Sequence, residues 1–228
     1  MNEENRPKII INCAMSADGK IALPNRKQLR ISSDEDIQRV HHLRNNCDAI
    51  LVGIGAVLSD DPKLTVKKKY VDNVRQPVRV VLDPECHTPL DALVVNNKTN
   101  TIVFTKENYQ NKKVFQENVE VIPVKTNEHG LLDLYEIITI LHQKNIQTLL
   151  IEGGGTIIWS FLNEGLVDEM YVYIGPMIIG GKNTPTMADG PGITSEKDLL
   201  KLKIKMVKRI GEGILILYVP INNKTEDL

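Results

Sequence analysis

The strongest constraint on this chain is a change of rhythm. Up to about residue 165, short apolar runs alternate with segments of helical spacing; after it, only strand-like runs follow. The early runs are KIIINCAM (8–15), DAILVG (48–53), PVRVVLD (77–83), NTIVFT (100–105), VEVIPV (119–124) and QTLLIE (147–152). Runs that are short, β-branched and apolar throughout read as strands covered on both faces. Between them, Ile37, Val40, Leu43 and Cys47 form a helical stripe, which Ser32 and Glu35 open as a capping box. Leu134, Ile137, Ile138 and Leu141 mark a second helix, and a third begins in Gly153–Thr156 and ends at Gly165. Strand–helix alternation implies right-handed crossovers and a mostly parallel sheet flanked by helices. The tail LKIKMVKRIGEGILILYVPI alternates, breaks at Gly211 and Gly213, and alternates again, which predicts an antiparallel C-terminal hairpin added at one edge. The expectation is one α/β domain over 1–228, ordered from about 8 to 220, with a disordered NNKTEDL end.

Composition narrows the function. Twenty-eight basic residues face 29 acidic ones and no long basic run occurs, which speaks against a nucleic-acid surface; KKK at 67–69 reads as a solvated loop. Cys13, Cys47 and Cys86 form no CxxC pair, and no HxE is partnered with PCxxC, so neither a structural zinc site nor a zinc-dependent nucleobase deaminase is expected. The five histidines show no metal spacing, and neither H-E-x-x-H nor G-x-S-x-G occurs, so no metal is expected. Sparse, unpaired cysteines fit a reducing cytoplasm. No apolar run reaches the roughly 18 residues a membrane span needs.

In a parallel sheet, ligands bind beyond the carboxyl ends of the strands. That rule selects residues 14–20, 53–62, 83–87, 105–108 and 152–156. EGGGT (152–156) is the most suggestive of these. Glycines at a helix N-terminus expose backbone N–H groups toward an anion, and the helix dipole adds partial positive charge. The same triplet also serves close strand–helix packing, and it meets neither the G-x-G-x-x-G nor the Walker pattern. In GIGAVLSDDP (53–62), Asp60 and Asp61 are either hydrogen-bond acceptors for a ligand or helix-terminal acids before Pro62. Asp83 in LDPE is either a site residue or turn chemistry. Lys106 in FTKE is either a partner for an adenosine 2′-phosphate or a surface lysine.

Four stretches together resemble one family: NCAMSADGKIA, ISSDEDIQRVHHLRNNCDAILVGIGAVLSDDPKLTVK, QPVRVVLDP and LLIEGGGTIIWSFLNEGLVDEMYVYIGPMIIGG. In that order they resemble the reductases of riboflavin biosynthesis, over roughly residues 8–219. The resemblance implies a dihydrofolate-reductase-like fold, NADPH as cofactor and the stand-alone, archaeal-type form that lacks a deaminase domain. It assigns the cofactor diphosphate to Gly153, Gly154, Gly155 and Thr156. Ala56 and Asp60 would meet the nicotinamide half, and Leu82, Asp83 and Pro84 the adenosine half. Ala14 and the MSADGK loop would flank the nicotinamide, like the mobile loop of dihydrofolate reductases. Arg44, Leu64, Lys67 and Glu152 match substrate-binding positions, Lys67 standing where an arginine is expected. A lysine still meets a phosphate, without the bidentate fork.

The implied reaction is reduction of a ribosylamino group on a phosphorylated pyrimidine, after ring opening to a Schiff base, with Glu152 or Asp60 assisting proton transfer. Two other readings stand beside it: a reductase of another pteridine or pyrimidine on the same fold, and a nucleotide-binding protein without catalysis. The late aliphatic strands MYVYI and ILILYV suggest an exposed edge that invites pairing. With the resemblance, they point to a homodimer.

Overall fold

The computed structural model describes residues 5–127 and 129–221. The chain divides into two compact units, each built from discontinuous stretches: Arg39–Glu152 with the residues up to Lys8, and Ile9–Gln38 with Gly153 onward.

The first unit holds five strands: β2 (Ala49–Gly53), β3 (Val78–Leu82), β4 (Thr101–Lys106), β5 (Val119–Val124) and β6 (Thr148–Ile151). They lie in the order β5-β4-β3-β2-β6, and every pairing is parallel. Leu51 of β2 sits opposite Val80 of β3 on one side and Ile151 of β6 on the other. All three are fully buried, as apolar runs with no alternation require. Helix α2 (Ile54–Asp60) follows β2, and α3 (Leu134–Gln143) precedes β6. Asp133 caps α3 by accepting from the Tyr135 and Glu136 amides, and the stripe Leu134, Ile137, Ile138 and Leu141 is buried.

One buried cation sits in this unit. Arg79 on β3 has no exposed surface and donates to Thr101 Oγ1 and to the carbonyls of Leu93, Asn96 and Thr99. Backbone oxygens thus take the place of a counter-ion, and the guanidinium ties a 3₁₀ turn at Leu93–Val95 to the sheet. Burial lowers its pKa to about 10, so it stays charged at neutral pH.

The second unit holds β1 (Lys8–Ser16, of which Lys8 belongs to the first unit), β7 (Glu169–Gly175), β8 (Leu202–Ile210), β9 (Gly213–Pro220) and α4 (Gly155–Asn163). Its order is β1-β7-β9-β8; β1 and β7 are parallel, whereas β7–β9 and β9–β8 are antiparallel. Gly165 follows α4 with φ 66°. The β8–β9 hairpin turns at Gly211 and Glu212. Gly211 has φ 55°, and a Cβ on it would collide with Ser33 and Glu35.

Two local expectations are corrected. Helix α1 (Asp34–Asn46) is capped one residue later than its sequence suggested: Ser33 Oγ accepts from the Asp36 amide, and Ser32 Oγ donates to the Asp36 carboxylate. Two consecutive serines and three consecutive acids offer both registers, and packing selects the second. Neither MYVYI nor ILILYV is an edge, because β7 lies between β1 and β9 and β9 lies between β7 and β8; the edge is β8, with Ile204 57% and Val207 60% exposed. The 3₁₀ turn at Leu93–Val95 had no local signal, since it depends on Arg79. The NNKTEDL end (222–228) lies outside the described residues. Among the described residues no helix is long and apolar enough to cross a membrane.

Candidate active site

In the first unit the centre of the site is an ion pair. Arg44 lies in the last turn of α1, where a cation complements the helix dipole. Glu152 is the first residue after β6, anchored by its amide on the Leu51 carbonyl at 3.1 Å. Arg44 Nε and Nη2 donate to Glu152 Oε1 and Oε2 at 2.8 and 2.6 Å, a bidentate fork. The remaining nitrogen, Nη1, donates to the Thr65 carbonyl at 3.1 Å. The side chains are 19% and 9% exposed, so the pair sits largely out of water. Burial opposes the guanidinium charge, but the Glu152 carboxylate outweighs it and raises the Arg44 pKa. Each Glu152 oxygen keeps a second lone pair for a further donor.

The Thr65 contact fixes the segment that carries Lys67. Leu64 is buried with φ 45°, an uncommon conformation for a leucine. The side chain of Gln76 meets both backbone groups of Val66, accepting from N and donating to O at 2.9 Å each. Lys67 itself is exposed. Arg44, Glu152 and the 64–67 segment are therefore brought together. Gln76 and His41, which touches Lys67 from α1, were missed by sequence reasoning. The one available signal was the i, i+3 spacing of His41 and Arg44 on a helix.

At the other strand ends of this unit, the paired alternatives separate. Ala56 and Asp60 are half-buried on α2. Asp61 ends that helix at φ 41°, and its carboxylate accepts from the Leu93 amide at 2.7 Å, so it is structural. Leu82 is buried. Asp83 is buried too, and its carboxylate accepts from the His87 amide, the Thr88 amide and the Thr88 hydroxyl at 2.7–2.9 Å. That side chain holds its own turn, leaving the backbone as what residues 82–84 can offer a ligand. Pro84 accepts the Lys106 amide at 3.0 Å, and the Lys106 ammonium pairs with Glu85.

In the second unit the three glycines have different reasons to be glycine. Gly153 has φ 124°, open only to glycine, and a Cβ there would meet nothing within 4 Å. Gly154 is the N-cap of α4, no side chain caps that helix, and a Cβ here also meets open space. Gly155 is buried, and a Cβ would lie 2.5 Å from the Thr186 carbonyl and 2.9 Å from the Asp189 carboxylate. Thr156 is exposed. The uncapped end beside Gly153 and Gly154 has the room and the donors for an anion, while Gly155 admits the 186–189 turn.

Ala14 is half-buried near the end of β1, which leads into the MSADGK turn. Ser16 Oγ donates to Asp18 at 2.6 Å, and the Ile179 and Gly180 amides donate to the same carboxylate at 3.1 and 2.7 Å. Those bonds, the one from Ser16 foremost, lower the Asp18 pKa to about 2. The Ala17 amide donates to the Met177 carbonyl at 2.9 Å, so this turn is fastened to the segment after β7.

This arrangement has close counterparts. Residues 7–216 match the family described as the RibD C-terminal domain. The chain is 42% identical over 218 residues to a 2,5-diamino-6-ribosylamino-4(3H)-pyrimidinone 5′-phosphate reductase of Archaeoglobus fulgidus, covering 92% of this chain and 97% of that protein. It is 40% identical to the reductase of the same name from Methanothermobacter thermautotrophicus, covering 98% of it. Acinetobacter baumannii RibD superposes with a TM-score of 0.81 at 27% identity over 95% of this chain, which spans 58% of that longer protein. The strand arrangement, the match along nearly the whole chain and the identities to the archaeal reductases agree: the chain belongs to the RibD C-terminal domain family.

Proposed function

We propose that this chain is a single-domain, cytoplasmic reductase of riboflavin biosynthesis. Its reaction is NADPH-dependent conversion of the ribosylamino side chain of 2,5-diamino-6-ribosylamino-4(3H)-pyrimidinone 5′-phosphate to ribitylamino. The observation that carries this reading is the 42% identity to a stand-alone reductase of that name over 97% of its length. A reductase of another pteridine or pyrimidine whose substrate carries no phosphate would have no use for a cation at Lys67.

The residues present fit a dinucleotide. The uncapped N-terminus of α4, with open space at Gly153 and Gly154, suits a diphosphate. Backbone at Leu82, Asp83 and Pro84 is assigned to the adenosine half, and Ala14, Ala56 and Asp60 to the nicotinamide half. When bound, the nicotinamide supplies the hydride that reduces ribose C1 of the ring-opened Schiff base. The chain's own residues bind and orient. Lys67 meets the 5′-phosphate as a point charge. Arg44 holds Glu152 in one rotamer through the bidentate fork, and the remaining Glu152 lone pairs accept from the substrate's ribose hydroxyl or amine. Glu152 or Asp60 is assigned to assist the proton transfer to the imine nitrogen.

The chain is further proposed to act as a homodimer. The support is an apolar outer face on the β8–β9 hairpin, where Ile204, Val207 and Ile214 are 57%, 60% and 45% exposed.

Three outcomes follow. Purified protein should consume NADPH, read by loss of nicotinamide absorbance, with the phosphorylated substrate and far less with its dephosphorylated form; no loss with authentic substrate would sink the proposal. Gly154→Ala should weaken NADPH binding roughly tenfold while leaving thermal stability near wild type, whereas Gly155→Ala should lose about 1–3 kcal/mol of stability through the Thr186 and Asp189 clash. Equal stability losses in both variants would refute the division of labour among the glycines. Sedimentation velocity at micromolar concentration should give a dimer that Val207→Glu converts to monomer; a wild-type monomer would contradict the dimer.

A further inference from the structure

His41 lies one helical turn before Arg44 and is buried, 4% exposed. Its Nδ1 accepts the backbone N–H of Lys67 at 3.4 Å. Its ring stacks on Tyr70, with centroids 4.7 Å apart and 17° between planes. The Tyr70 amide donates to the Lys67 carbonyl at 3.0 Å, so residues 67–70 form a turn that His41 touches at both ends. The Lys69 ammonium stands 4.4 Å from the Tyr70 ring centroid. Nδ1 accepts a hydrogen bond only when the imidazole is neutral and its proton is on Nε2.

We infer that His41 is a positioning residue whose neutral imidazole sets the Lys67 turn in place for the substrate phosphate. This rests on the reading that Lys67 meets that phosphate. The groups around His41 keep it neutral. Burial first, then the cations Arg44, Lys67 and Lys69, lower its pKa to about 4, against the opposing pull of Glu152. The sign follows from a folded value below the ordinary 6.5: the arrangement is fully favoured above that value and is lost as pH falls from there through about 4.

Steady-state kinetics of wild type, His41→Leu, His41→Asn and Lys67→Ala test this. Leucine keeps bulk without an acceptor, and asparagine places Oδ1 near the position of Nδ1. His41→Leu should raise KM for the phosphorylated substrate roughly three- to tenfold, with kcat and the NADPH KM unchanged. His41→Asn should restore KM. An unchanged KM in His41→Leu, a joint fall of kcat with both KM values raised, or an asparagine variant no better than leucine would overturn the inference. Lys67→Ala separates the two readings. If it leaves KM unchanged, the phosphate assignment fails; if it raises KM while His41→Leu does not, only the role of His41 fails. Should His41→Leu not fold, ¹⁵N spectra of the wild-type imidazole decide: an Nε2–H neutral tautomer from about pH 5 to 8 supports the role, and a charged or Nδ1–H ring refutes it.

Discussion

The paired charges of Arg44 and Glu152 are the interaction on which the candidate site depends. A carboxylate just beyond the end of β6 would be costly so far out of water without a partner. The guanidinium satisfies both of its oxygens and still reaches the Thr65 carbonyl. One side chain thereby fixes two things: the rotamer of Glu152, and the path of the segment that ends at Lys67. Gln76 and His41 hold that same segment from other sides. Lys67 is exposed, but the backbone of the 65–67 segment is held by three side chains.

The glycine triplet shows why one motif carries two explanations. Close packing and anion binding looked like competing accounts of EGGGT. The structure separates them by position. Gly155 has no room for a side chain because the Thr186–Asp189 turn lies against it, while Gly153 and Gly154 leave their surroundings open. Asp83 divides in a similar way, its carboxylate serving the turn to Thr88 and its neighbours' backbone remaining for a ligand.

Most of the fold was legible because its strands are apolar on both faces and its last two strands alternate around glycines. Those are local patterns. What escaped was set by partners far away in the chain. The register of the α1 cap was open between Ser32 and Ser33 until packing chose. The 3₁₀ turn at Leu93–Val95 exists through Arg79, an arginine inside an apolar run with no local mark of its role. The Arg44–Glu152 pair joins residues 108 positions apart, so periodicity could nominate each residue's element but not their contact. The strand-end rule nominated the loops, the family resemblance attached ligands to them, and neither could say which side chains are already engaged.

A double-mutant cycle across the pair tests this account most directly. The quantity to measure is kcat/KM for wild type, Arg44→Met, Glu152→Gln and the double variant, with stability of each recorded by urea unfolding. If the pair works as one unit, each single change should lower kcat/KM roughly 100-fold and the double change should lower it no further than the worse single one. Losses that simply multiply in the double variant would mean that Arg44 and Glu152 act independently, and the ion pair would lose its place at the centre of the site.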